Sequence, residues 1–165
     1  MLFRSHSPDP GHLLWGEPQF TFLNEASIAT FGERWSRVFG RSYHEATADV
    51  PEAARLHVGP MRGEPVRLRE KWMPYDRGSR SYDAWFDFAL TPIRSSDGIV
   101  LGVYSTWYER TREVLAARRL QAINRLAAAA PASAPLDALT KALALLREGS
   151  DVPFAAAYLD RKSVV

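Results

Sequence analysis

The sequence predicts an α+β protein in which helices cover one face of an antiparallel sheet and a long helix follows the last strand. Three observations support this fold class. Apolar residues recur with a helical period between residues 24 and 40, but they alternate in runs between residues 64 and 108. An Asp97-Gly98 turn joins two of the alternating runs. The second of these runs passes into a helical pattern near residue 110 without an intervening loop.

The first elements in the predicted order are a strand and a helix. Residues 19–23 read QFTFL, and this alternation predicts a half-buried strand with Phe20 and Phe22 on one face. A helix over residues 24–40 follows, and Asn24 is its predicted N-cap.

The middle of the chain predicts less helix and more strand. Proline and glycine interrupt residues 43–63 and leave room for only a short helix around residues 52–58. Two strands follow, the first over residues 64–77 with Trp72 on its apolar side, and the second over residues 81–93. The predicted inner face of the second strand holds Tyr82, Ala84, Phe86, Phe88 and Leu90.

The last third predicts two helices. Thr111 is the predicted cap of the first, and proline at residues 131 and 135 separates it from a second helix capped by Ser133. Apolar residues of the first helix follow the spacing of a two-helix coiled coil, which predicts a parallel homodimer. The seam residues are Ala116, Leu120, Ile123 and Ala127. The run DVPFAAAYL (151–159) predicts the opening of a further strand.

Composition excludes several classes of function. The chain has no cysteine, so disulfides, thiolate metal sites, catalytic thiols and cysteine-based photochemistry are excluded. No apolar run approaches the roughly 20 residues of a membrane span, and the start lacks the apolar core of a signal peptide, which favours a cytosolic chain. The net charge is +2 and the arginines are scattered, so we expect neither a nucleic-acid nor a membrane partner.

The two ends predict no folded structure of their own. Residues 1–14 are predicted to be disordered. Residues 2–5 and 160–165 are similar to translations of a short-read sequencing adapter, and we interpret both as scars on a fragment of a longer protein.

The order of elements resembles the PAS sensory domain family. The resemblance rests on the segments LNEASIATFGERW, GRSYHEA, GEPVRLREKWMPYDRG, WFDFALTPIRSSDGIVLGV and ERTREVLAARRLQAINRLAA. They are similar to the N-terminal PAS module of soluble bacterial sensor histidine kinases, in which a GAF domain follows. This implies a PAS-like domain over residues 15–111, a coiled-coil signalling helix over 112–131 and the truncated start of a GAF-like domain over 132–159.

The resemblance implies a sensory and dimerisation module of a cytosolic two-component phosphorelay, with the signal passing through the C-terminal helix. The family's junction signature corresponds to residues 109–113, so Glu109 and Thr111 are the implied coupling residues. The last two charges of the signature are exchanged here, so a junction salt bridge must use different partners. The alternative is a free-standing α+β ligand-binding protein or enzyme with a cone-shaped sheet.

Candidate site residues each have an ordinary structural explanation. His57 lies where haem-binding relatives place their axial ligand, but a surface or cap role is favoured, and we expect neither haem nor flavin. Asp83 and Asp87 share a strand face that is interpreted as solvated rather than catalytic. No residue pattern indicates a metal site or an enzyme. Five aromatic residues are predicted to line a pocket or to fill the core: Phe20, Phe22, Trp72, Phe86 and Phe88.

Overall fold

The computed structural model describes residues 7–48, 50–77, 80–129, 135–149, 152 and 154–158. The strands are β1 (Gly11–Trp15), β2 (Phe20–Leu23), β3 (Val66–Arg77), β4 (Arg80–Arg94) and β5 (Val100–Glu109). The helices are α1 (Glu25–Phe31), α2 (Trp35–Val38), α3 (Tyr43–Ala46), α4 (Pro51–Leu56), α5 (Val58–Met61), α6 (Thr111–Ala129) and α7 (Pro135–Glu148). The chain divides into two compact units, Met1–Thr111 and Arg112–Val165.

The strands of the first unit form one antiparallel sheet in the order β2-β1-β5-β4-β3. The α+β class and the antiparallel sheet predicted from the sequence are therefore confirmed. Strand β5 lies at the centre, between β1 and β4. The hydrophobic core joins the inner side of the sheet to side chains from α3 and α4, and its buried members include Leu14, Tyr43, Leu56, Phe86 and Leu90.

The hairpin of β4 and β5 follows the sequence prediction closely. Gly98 has a φ of 83°, the left-handed conformation that its turn requires. Ala84, Phe86 and Leu90 are buried, as the alternation of β4 predicts.

The prediction that residues 1–14 are disordered is wrong for the part that forms β1. Residues Gly11–Trp15 pair with β2 on one side and with β5 on the other. Three consecutive apolar residues, Leu13 to Trp15, hide the alternation that signals a strand. The main partner of β1 is also about ninety positions away in the sequence, since Gly11 pairs with Thr106.

Strand β2 forms where it was predicted, but its inner face is the opposite one. Thr21 and Leu23 are buried, whereas Phe20 is 44% exposed and Phe22 is half-buried. Because strand side chains alternate between faces, placing Leu23 in the core necessarily turns both phenylalanines away from it.

A bulge changes the side-chain phase of β3. The pairing with β4 shifts between Leu68 and Lys71, and Glu70 has a φ of 48°. After this shift Met73 is buried and Trp72 is 42% exposed, so the predicted inward face of Trp72 is wrong. An extra residue in one strand reverses the faces of every residue that follows it.

The predicted helix over residues 24–40 is interrupted. Its N-cap is confirmed, because the side chain of Asn24 accepts a hydrogen bond from the backbone N–H of Ser27 at 3.1 Å. Gly32 ends α1 with a φ of 53°, and one 3-10 turn (Gly32–Arg34) leads into α2. The short middle helix predicted near residues 52–58 forms as α4 and α5.

The second unit consists of two helices in its described residues. Arg125 of α6 and Glu148 of α7 form an exposed ion pair at 2.7 Å. Val152 and residues 154–158 form no strand, so the strand predicted at the start of a GAF-like domain is absent from them. None of the described helices combines the length and the apolar character needed to cross a bilayer. Ser133 and the interpreted scars lie outside the described residues.

Candidate functional site

Two buried histidines meet on the inner side of the sheet. His12 is the second residue of β1 and lies directly opposite Ser105 of β5. His57 is the residue after α4, and it reaches the same point from the helical side of the core. The relative exposures of His12 and His57 are 5% and 4%.

The contacts of His57 favour one of its two tautomers. Nε2 of His57 lies 3.0 Å from Nε2 of His12 and 3.0 Å from the hydroxyl of Ser105. Its Nδ1 lies 3.4 Å from the backbone carbonyl of Ala53, which accepts only, so this contact favours the proton on Nδ1. In that tautomer Nε2 of His57 is the acceptor that faces both His12 and Ser105.

Aromatic rings enclose the histidine pair. The ring of Tyr43 lies 4.4 Å from that of His57, and the ring of Trp107 lies 5.3 Å from that of His12, between centroids. The Tyr43 hydroxyl donates to the carbonyl of Ala53 at 2.8 Å, which fixes the end of that ring. The cluster is thus largely shielded from water.

Burial keeps both histidines uncharged at neutral pH. It lowers the pKa of His57 to about 4, although the hydrogen bond to the Ala53 carbonyl opposes this shift. Burial also lowers the pKa of His12 well below its usual value, and the neighbouring His57 lowers it further. Burial raises the pKa of Tyr43, so its hydroxyl stays protonated.

A cavity of about 120 Å³ adjoins the cluster. Of the five predicted pocket residues, Phe86 and Phe88 line it, while Phe20, Phe22 and Trp72 do not. The latter three were assigned to the wrong face because of the inverted phase of β2 and the bulge of β3. The remaining wall includes His12, Tyr43, Val50, Leu56, Met73 and Trp107.

The role of both histidines differs from the sequence interpretation. His57 was interpreted as a surface or cap residue; it does follow α4 directly, but it is buried. His12 was assigned to a disordered start. No sequence signal marked His12, because the apolar run from Leu13 to Trp15 hides the alternation of β1; in the structure His12 shares the inward face of β1 with the fully buried Leu14. Sequence reasoning also missed Tyr43, Ser105 and Trp107.

A second group of polar contacts lies where the sheet passes into α6. The carboxylate of Asp87 accepts the backbone N–H of Glu70 at 2.8 Å and pairs with the Arg110 guanidinium at 3.0 Å. These two contacts, the N–H bond first, lower the pKa of Asp87. The Thr111 hydroxyl accepts the backbone N–H of Trp85 at 3.2 Å. Glu109, the other implied coupling residue, is exposed at the end of β5.

The predicted seam of α6 is exposed in the single chain. Leu120 and Ile123 are each 60% exposed, and Ala116 and Ala127 are exposed as well. This exposure leaves the seam residues accessible to a partner.

The residues around the cavity do not fit haem or flavin. Pockets for ligands of drug size occupy about 300 to 1,000 Å³, whereas this cavity measures about 120 Å³. The Nε2 atom of His57, which would bind haem iron, is engaged with His12 and Ser105. Within the described part of the chain, no three side chains of metal-binding type lie close enough to hold one ion.

Purified protein is expected to carry neither cofactor. Protein expressed with haem and riboflavin both supplied should show no Soret band and no flavin absorption near 450 nm beyond a trace, because roughly 300 Å³ or more is needed for such ligands. A stoichiometric Soret band that is lost in His57→Ala would contradict this expectation for haem.

Comparisons with known structures show that the chain has a PAS-like fold. No protein-family model matches the chain, and no curated protein matches it. An RNA-binding Light-Oxygen-Voltage (LOV) receptor of known structure is 18% identical, with a TM-score of 0.55, over 73% of this chain and 34% of that one. This chain therefore spans about a third of that receptor. The Rhodobacter sphaeroides LOV protein is 13% identical, with a TM-score of 0.50, over 87% of this chain and 90% of that one. The PAS domain of Bordetella pertussis BvgS is 21% identical, with a TM-score of 0.49, over 72% and 88%.

Proposed function

We propose that this chain, which has a PAS-like fold, is the sensory and dimerisation module of a cytoplasmic signal-transduction protein. One observation carries the proposal: the central strand of the sheet leads directly into a long helix. Strand β5 ends at Glu109 and α6 begins at Thr111, with only Arg110 between them. The same strand contributes Ser105 and Trp107 to the wall of the cavity. A change in the cavity therefore reaches the helix along one strand.

The contacts at the start of α6 support transmission. Arg110 is held by Asp87 of β4, and its backbone N–H donates to the carbonyl of Trp85 at 2.6 Å. Thr111 is held by the N–H of Trp85. The first residues of α6 thus follow any displacement of β4 as well as of β5. Two packing arrangements of one sheet, selected by a bound molecule, would then present two orientations of the helix.

The sequence resemblance suggests which kind of larger protein would contain this chain. We propose a sensor histidine kinase of a two-component phosphorelay, with a GAF-like domain after α6. The chain itself then acts as a regulatory part and not as the enzyme. The alternative remains a free-standing α+β ligand-binding protein or enzyme with a cone-shaped sheet, in which α6 has no output.

One of the similar structures is an RNA-binding receptor. That similarity counts against our expectation of no nucleic-acid partner. The net charge of +2 opposes RNA binding here, because the phosphate backbone is bound mainly through clustered cations. We therefore keep ligand sensing as the proposal.

Helix α6 should mediate a weak homodimer. Leu120→Glu should give a monomer, because a carboxylate in an apolar seam would be desolvated without a partner. Sedimentation equilibrium measures this, and circular dichroism should show the sheet unchanged. Gln121→Glu is the matched control, since it adds the same charge at the next exposed position, outside the seam, and should leave the dimer intact.

Two results would contradict the proposed output helix. The first is an unmodified chain that stays monomeric at millimolar concentration. The second is a Leu120→Glu variant that dimerises as strongly as Gln121→Glu. Either result would favour the free-standing alternative.

A further inference from the structure

The bulge in β3 lies opposite a single acidic residue. Because the pairing with β4 shifts between Leu68 and Lys71, two residues of β3 face one residue of β4, which is Asp87. One of these two is Glu70, whose φ of 48° is in the left-handed region. Oδ1 of Asp87 accepts the backbone N–H of Glu70 at 2.8 Å. The carboxylate therefore holds the bulge in its observed conformation.

The same carboxylate holds the residue that precedes α6. Oδ2 of Asp87 lies 3.0 Å from Nε of Arg110, the residue between β5 and α6. The backbone N–H of Arg110 donates to the carbonyl of Trp85 at 2.6 Å, one step beyond the last residue pair of β4 and β5. One side chain thus bonds to the bulge through one oxygen and to the start of the helix through the other.

The bulge also shapes one wall of the cavity. Met73 and Pro74 follow it on β3, and both line the cavity. Met73 faces inward because the extra residue of the bulge reverses the faces of the residues after it. Phe86, the neighbour of Asp87 on β4, lines the cavity as well. A change in the cavity that displaces this part of β3 therefore acts on the bulge.

The two contacts of Asp87 are individually weak. The side chain of Asp87 is 27% exposed and that of Arg110 is 47% exposed, and ion pairs at such partly exposed positions add little to stability. Both contacts nevertheless favour the charged carboxylate, because the Glu70 N–H first and Arg110 second lower the pKa of Asp87. The arrangement is thus better suited to linking two segments than to stabilising the sheet.

We propose that Asp87 is a positioning residue that couples the bulge of β3 to the start of α6. This inference rests on the proposed sensory function, for which it names a second route from the cavity to the helix beside β5. While the bulge is formed, the Glu70 N–H orients the carboxylate, and the carboxylate fixes Arg110. When the bulge rearranges, the carboxylate loses this orientation and Arg110 is released from β4.

Amide hydrogen exchange of the full chain, followed by NMR, tests the coupling from the bulge to the helix. Glu70→Val should disturb the bulge, because a β-branched residue strongly disfavours a φ of 48°. The amide of Arg110 should then exchange about fivefold faster, the factor expected from losing one partly exposed charged contact. Glu70→Gly is the matched control. It also removes the Glu70 side chain, but glycine adopts this φ readily, so exchange at Arg110 should not change.

The coupling should also be detectable in the opposite direction, since linkage between two sites is reciprocal. Arg110→Gln removes the guanidinium, so the carboxylate is held less firmly and the amide of Glu70 should exchange about threefold faster. Arg112→Gln is the matched control, because it makes the same change of charge at an exposed position two residues further along. It should leave the Glu70 amide unchanged.

Asp87→Asn decides whether the carboxylate carries the coupling. Asparagine has one side-chain oxygen, so this oxygen cannot take the place of both Oδ1 and Oδ2. In the Asp87→Asn background, Glu70→Val and Glu70→Gly should therefore give the same exchange rate at Arg110. A difference that persists would overturn the proposal, because the coupling would then run through the backbone of β4.

Unchanged exchange at Arg110 in Glu70→Val, or at Glu70 in Arg110→Gln, would overturn the proposal as well. If Glu70→Val does not fold, the comparison of Arg110→Gln with Arg112→Gln decides the question in the native and Asp87→Asn backgrounds. Absent coupling in a chain whose α6 dimer is intact would refute the role of Asp87 alone. Coupling in a chain that never dimerises would instead refute the output helix.

Discussion

Gly102→Ala should destabilise the first unit by about 3 kcal/mol or more, which is a large part of the stability of a small domain. Gly102 lies on β5 opposite Trp15, and a Cβ atom at this position would meet the backbone carbonyl of Leu14 and the ring of Trp15. The carbonyl cannot rotate away as a side chain can. The added methyl group must therefore push β1 away from β5, and β1 carries His12.

Urea unfolding followed by tryptophan fluorescence measures this loss, because all five tryptophans precede residue 111 and so report on the first unit. Gly59→Ala is the matched control. Its Cβ would meet its nearest neighbours at 3.6 Å, an ordinary contact distance, and it lies within α5, where alanine is favoured. An unchanged midpoint for Gly102→Ala would mean that β1 and β5 are not in close contact.

Acidification from pH 7 to pH 5 should cost the first unit about 2 kcal/mol through His57 alone. The pKa of His57 is about 4 in the folded protein, against an ordinary value of 6.5 in the unfolded chain. The unfolded state therefore takes up a proton first as the pH falls. The contribution of the uncharged His57 side chain to the free energy of unfolding is complete above pH 6.5. It is lost as the pH falls from 6.5 towards 4. His12 acts in the same direction, since its pKa is also lowered.

The test compares urea unfolding at pH 7 and pH 5 in three proteins. His57→Gln should be less stable than the wild type at pH 7 but should lose markedly less on acidification. His44→Gln should behave like the wild type, because His44 is exposed on α3. The same loss in His57→Gln as in the wild type would show that carboxylates, not the buried pair, cause the acid sensitivity.

Sequence alone predicts the parts of this fold whose signals are local. The β4–β5 hairpin is one example, because a glycine turn and two alternating runs lie next to one another. The cap at Asn24 is another, since its bond reaches only three residues ahead. Both of these depend on interactions within a few residues.

The cavity could not be predicted to the same degree because it depends on distant pairing. One residue inserted in β3 reverses the faces of Trp72 and Met73, and no local pattern marks the insertion. The inner face of β2 is decided by which of Phe22 and Leu23 faces the core, since both residues pair with β1. The histidine pair joins residues 45 positions apart. Its members therefore become visible only once β1 is placed beside β5.

The central position of β5 has a mechanical consequence. Tension applied along β5 at its C-terminal end would load a strand that is flanked by β1 on one side and β4 on the other. In antiparallel pairs the hydrogen bonds run perpendicular to the strands, so tension along β5 loads two rows of them in shear. Bonds in shear share the force and yield together, whereas an edge strand pulled outward would unzip one bond at a time. The sheet can thus bear tension from the helix and pass it to both neighbours at once, including the strand that carries His12.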